Sequence, residues 1–148
     1  MPHPQAHQKS ALGPNGNVTA MLAYIVSILA IVNLIIEKEN NFVRFHAVQK
    51  IFFVIFSLVL YFVIIAVLFV VTIVITFLGV GAASVAGDAG GIIGLVLYII
   101  TLLMWVGLPL LFVAMFLGGL ILCIVKAYQG EAFRLPIIGR FAAKVVPV

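Results

Sequence analysis

Two stretches without a single charged residue constrain this chain most. One runs from Ile51 to Gly87 and the other from Ala89 to Val125, each about 37 residues. Only Asp88 separates them. A straight helix of that length would measure roughly 55 Å, against a bilayer hydrocarbon core of about 30 Å. Two spans per stretch would need a polar turn inside it, and neither stretch has one. Each is therefore expected to form one over-long span. With 66% hydrophobic and 8% charged residues, the chain lacks the polar surface a soluble fold requires. The fold class expected is all-α, an integral membrane helical bundle.

A third apolar run, "VTAMLAYIVSILAIVNLII" (18–36), has the roughly 20 residues that a crossing demands. It ends in "LIIEKEN", without a small-residue cleavage site, so a retained anchor is expected rather than a signal peptide. Three transmembrane helices follow, two of them over-long. The second is expected from Asn41 to about Leu78, capped by Asn40 or Asn41, and the third from about Ile92 to Tyr128. A turn is expected in the glycine-rich Gly79–Gly91 segment. Gly107 and Pro109 should bend the third helix.

Residues 1–17, rich in Pro, Gly, Asn and Gln, are expected to be a disordered tail, residues 18–130 the transmembrane domain and residues 131–148 a cytoplasmic tail. Gly130 suits the position just past a helix end. Pro136 can open a short helix in which Ile137, Phe141 and Val145 share one face and Arg140 and Lys144 another. Such a basic amphipathic helix lies at the membrane interface.

In the three-span arrangement Lys38, Arg44, Lys50, Lys126, Arg134, Arg140 and Lys144 fall on one side and Lys9 on the other. The positive-inside rule then places the C-terminus in the cytoplasm and the N-terminus outside a plasma membrane crossed several times.

The segment "NNFVRFHAVQK" is the most polar part of the helical region. Phe42, Phe45 or His46, Gln49 and Phe53 recur at helical spacing, with Arg44 on another face. Two roles stand open for it. In one, it is architectural, with Arg44 reaching lipid phosphates while His46 and Gln49 bond neighbouring segments. In the other, it is functional, either docking a protein on the cytoplasmic face together with Glu131 and Arg134 of the tail or forming a proton-sensitive contact through His46. No catalytic motif, carboxylate pair or phosphate loop is present, so no enzyme is expected. His3 and His7 lack a third ligand, and Pro2 and Pro4 deny them a helix, so no metal or cofactor is expected. The lone Cys123 reads as a packing residue. There is no basic stripe for nucleic acid. The bilayer is the one certain partner. A homo-oligomer is the alternative, since a small-solute transporter or channel of three helices would have to self-associate to enclose a path.

"EKENNFVRFHAVQ" and "KAYQGEAFRLP" together resemble a family of small prokaryotic membrane proteins that carry a domain of unknown function and are grouped with the Tic-twenty-like proteins. The matching positions are Phe42, Arg44, Phe45, His46, Gln49, Lys126, Ala127, Gly130, Glu131, Leu135 and Pro136. The wider group includes a component of the chloroplast inner-envelope protein-import channel. The resemblance therefore implies a role beside protein translocation or insertion.

Overall fold

The computed structural model describes residues 2–148. It is helical, with no strand among the described residues. It divides into two compact units: Met1–Ser57 with Phe116–Val148, and Leu58–Met115.

The first unit holds two short helices, α1 (Gly16–Ile25) and α2 (Ser27–Ile36), where one span was expected. Val26 between them is extended, at φ −110° and ψ 98°. The Asn33 amide donates to the carbonyl of Thr19 across this break at 3.4 Å, and Gly16 at the start of α1 lies against Asn40 just beyond α2. The two helices thus form a hairpin whose ends meet. Each arm is about 15 Å long, half the thickness of a hydrocarbon core. The single long helix expected over 18–36 is thus replaced by two short ones. Buried Ala23 and Ala30 pack with Ala47, and side chains this small let helices approach closely. The hairpin gives buried Asn33 a partner inside the chain, and no Gly or Pro marks its tip.

The segment before α1 is ordered, contrary to the disordered tail expected at 1–17. Pro4–His7 makes a 3-10 turn and Ala6 is fully buried. Ser10 shares a 2.7 Å hydrogen bond with Thr19, and the amide of Ala11 donates to a Glu37 carboxylate oxygen at 2.7 Å. The segment lacks apolar bulk and is fastened by hydrogen bonds instead. Its His3 amide donates to the Gly130 carbonyl at 2.8 Å, and Asn17 Nδ2 donates to the Tyr128 carbonyl at 3.0 Å. These contacts place the N-terminal segment beside the C-terminal one, whereas the three-span expectation puts the two on opposite sides of a bilayer. A bilayer cannot pass between hydrogen-bonded groups.

Helix α3 (Asn41–Val85) begins in the same unit. Asn40 caps it, its side-chain oxygen accepting from the Val43 amide at 3.2 Å. Helix α4 (Gly90–Tyr128) ends there. Gly130, at φ +78°, closes α4 while the Gly130 amide bonds Ala127 O and the Glu131 amide bonds Lys126 O. That pair of bonds is a Schellman ending, and its left-handed residue favours glycine. Helix α5 (Ile138–Val145) follows. Its Ala142, with Val146 just beyond, packs against Phe45 and Val48 of α3.

The second unit consists of the later part of α3 and the earlier part of α4, joined through a 3-10 turn at Gly87–Ala89. Helix α3 runs on to Val85, past the Leu78 expected, and Pro109 is accommodated inside α4. Trp105 Nε1 donates to Thr72 Oγ1 at 2.8 Å, and the rings of Tyr61 and Phe112 lie 5.6 Å apart. Both α3 and α4 are long and apolar enough to cross a membrane, and only 6% of the most apolar stretch of each is buried.

Candidate functional site: a buried polar clasp

The residues singled out in the sequence converge on one place in the first unit. Phe42, Phe45, His46 and Gln49 are all fully buried. Gln49 Nε2 lies 3.1 Å from Tyr24 Oη, 3.2 Å from the Phe133 carbonyl and 3.8 Å from Cys123 Sγ. Its two hydrogens satisfy the first two acceptors, which leaves Cys123 as a packing contact. The Tyr24 hydroxyl, accepting from Gln49, is free to donate to His46 Nδ1 at 3.1 Å. That assignment makes His46 a neutral ring protonated on Nε2. Nε2 is buried and makes no hydrogen bond. Phe42 and Phe45 meet the imidazole edge-on, at centroid distances of 4.6 Å and 5.2 Å, and His3 stacks on Phe42 at 5.6 Å.

This arrangement ties α1, α3 and the segment after α4 together; the Tyr24, His46 and Gln49 side chains have almost no access to water, and the Phe133 carbonyl is partly buried. An imidazole without exposed surface cannot reach a substrate. Burial of this kind converts hydrogen bonds into positional constraints, because breaking one strands its partner.

Around the clasp lie the more accessible groups. Lys126 Nζ and the Glu131 carboxylate form an ion pair at 2.7 Å, and this hydrogen bond holds the Glu131 carboxyl below its ordinary range. Arg134 is exposed and donates to the Val148 carbonyl at 2.6 Å. Arg44 is half-buried and Pro136 exposed. An open cleft of about 390 Å³ is lined by Pro2, His3, Pro4, Glu131, Ala132 and Phe133. Among the described residues no group of three His, Cys, Asp or Glu side chains could hold a metal ion.

The sequence pattern found the α3 side of the clasp. It missed Tyr24, which sits in an apolar run with nothing to show that its hydroxyl is engaged. It missed Glu37 as well, whose second carboxylate oxygen accepts from the amides of Glu39 and Asn40. Glu37 stands in a charged run beside Lys38 and Glu39, which gives no sign that it is buried.

The UPF0132 membrane protein MJ1443 of Methanocaldococcus jannaschii is 30% identical to this chain over 135 residues, 90% of the chain and 91% of that protein. The chain belongs to the UPF0132 family of membrane proteins. A UPF0132 membrane protein of Archaeoglobus fulgidus is 30% identical over 131 residues, 88% of the chain and 94% of the relative. The UPF0132 protein MJ1527 of M. jannaschii is 27% identical over 135 residues and is covered to 72%. No family model and no solved structure matches the chain. The UPF0132 names give a membrane location and no activity. They agree with the two long apolar helices, and this UPF0132 chain is accordingly a membrane protein.

Proposed function

We propose that this UPF0132 protein is a non-enzymatic protein of the plasma membrane that crosses twice, keeps both ends in the cytoplasm and binds another protein there. The observation that carries the reading is the open cleft where the N-terminal segment meets residues 131–133. Its lining mixes polar and apolar groups, with Pro2, Pro4 and Phe133 beside the His3 imidazole and the Glu131 carboxylate, as a protein surface needs for a polar partner segment. The buried His46 and Gln49 hold this cleft together from beneath and do not themselves meet the partner.

The orientation is supported by charge. All eight Lys and Arg lie in the unit Met1–Ser57 with Phe116–Val148, and none in Leu58–Met115. Both the N-terminal and C-terminal segments belong to that unit, so the positive-inside rule assigns both to the cytoplasm. The hairpin α1–α2 then enters the cytoplasmic leaflet and returns. By resemblance to the Tic-twenty-like proteins, the partner belongs to protein translocation or insertion.

A photoreactive analogue in place of Ala132, in intact cells, should form an adduct with one other polypeptide. The same analogue in place of His46 should give adducts only within the chain. Adducts at position 132 confined to lipid and to the chain itself would overturn the reading.

A second reading, an oligomeric small-solute transporter or channel, has one observation in its favour. A cavity of about 410 Å³ in the unit Leu58–Met115 is lined by Thr72, Thr76, Tyr98 and Thr101, which place hydroxyl groups among apolar helices. It calls for a defined oligomer in mild detergent and solute flux in proteoliposomes.

A further inference from the structure

We infer that α5 is a docking strip for acidic phospholipid. Helices at this length normally have one apolar side, and α5 has two. Ile138 and Ala142, continued by Val146, are buried against the rest of the unit. Ile137, Phe141 and Val145, one residue displaced along the same spacing, are exposed at 56%, 56% and 59%. Three large apolar side chains in a row facing water would be costly, and a membrane surface relieves that cost.

The charges beside the row select the kind of surface. Arg140 and Lys144, four residues apart, are both exposed. Lys144 Nζ lies 5.7 Å from the centre of the Phe141 ring, at the boundary between apolar row and water. No acidic residue follows Glu131, and Glu131 is already paired with Lys126. Arg134 is held by the Val148 carbonyl and is left out of the count. Two unopposed cations beside an apolar row are complementary to acidic headgroups over acyl chains. Each contributes about fivefold to partitioning near an acidic leaflet, so the pair contributes about 25-fold.

The docking has a structural effect, because the buried side of α5 rests on Phe45, which packs against the His46 ring. Headgroups that hold α5 down also hold the clasp closed.

The test uses the full chain reconstituted in vesicles of phosphatidylcholine alone or with about one-third phosphatidylglycerol. An environment-sensitive fluorophore is attached at Phe141→Cys and, separately, at Val145→Cys, with Cys123 left buried. Phosphatidylglycerol should shift both probes to apolar emission and shield them from an aqueous quencher. High salt or the double change Arg140→Gln with Lys144→Gln should reverse this, raising the required acidic-lipid fraction steeply. Equal shielding in both lipids would overturn the inference, as would a shift that survives removal of both cations. Shielding that appears only when an acidic peptide is added would show that the strip serves a protein and would overturn it too.

Discussion

Replacing Gln49 with Leu removes the central tie of the clasp while keeping similar volume. The change strands the Phe133 carbonyl, which loses its 3.2 Å donor. Tyr24 keeps His46 as a partner and is not stranded. Leaving a buried acceptor unpaired costs about 1–3 kcal/mol, an upper bound for the Phe133 carbonyl, which is only partly buried. Removing Gln49 also removes its own unpaired Oε1, which offsets part of that cost. Counted instead as two lost hydrogen bonds of about 0.6 kcal/mol each, the average found within membrane proteins, the loss is about 1.2 kcal/mol. Both routes lead to about 1–2 kcal/mol, or a fall in Tm of about 3–6 °C for a chain of this size. Thermal unfolding in mild detergent measures it. Hydrogen exchange should quicken at residues 131–136, because Phe133 is the group released. Tyr24→Phe supplies the control: Gln49 and His46 then each lose a partner, so the double variant should be less destabilised than the sum by at least about 0.5 kcal/mol. Wild-type stability in Gln49→Leu, or strict additivity with Tyr24→Phe, would refute the claim that these side chains act as one network.

Gly130→Ala should loosen the N-terminal segment. Its Cβ would sit 2.9 Å from that of Ala6 and its φ of +78° is strained for alanine, costing at least about 1–2 kcal/mol; faster proteolytic cleavage before Gly16 would report it. The Glu131–Lys126 pair should make the 131–136 loop acid-sensitive. The Glu131 carboxyl is held below its unfolded value, so its stabilisation is present above that value and is lost as pH falls through the folded one. In Glu131→Gln the acid-specific rise in loop exchange should vanish. Cysteines placed at Leu12, Lys38 and Pro147, all exposed, should react with a membrane-impermeant reagent from the same side of sealed vesicles. Labelling of Leu12→Cys from the opposite side to Pro147→Cys would contradict the hydrogen bond between His3 and Gly130.

The long helices were legible because their evidence is local and repeated. The expected start of α3 near Asn41 and end of α4 at Tyr128 agree with the structure. Gly130 and the helix after Pro136 were legible for the same reason, since each has a short-range signal. The hairpin was not. An apolar run of about 19 residues satisfies the length rule for a span, and the break at Val26 carries no Gly, Pro or charge. What decides it is the pairing of Asn33 with Thr19 and the small residues along the contact, which are tertiary facts. The ordered N-terminal segment was hidden likewise, because its composition is that of a disordered tail while its partners lie at Glu37, Tyr128 and Gly130. For the candidate site, the face of α3 was visible and its partners were not. Helical spacing groups residues on one helix and is silent about which carbonyl or hydroxyl will come to meet them.

The clasp joins early and late parts of the chain, and this sets a timetable for biogenesis. Gln49 waits for Phe133, 84 residues further on, and Asn17 waits for Tyr128, 111 residues away. At a synthesis rate of about 5–20 residues per second, the Gln49 amide spends roughly 4–17 s without its final acceptor. During that interval the helical hairpin is already made and the first long helix is completed, with polar groups still unpaired. The nascent protein therefore passes through an open stage that ends only when its last segment arrives. A chaperone or protease that recognises unpaired polar groups at the membrane surface would meet this chain then, and not after the clasp has closed.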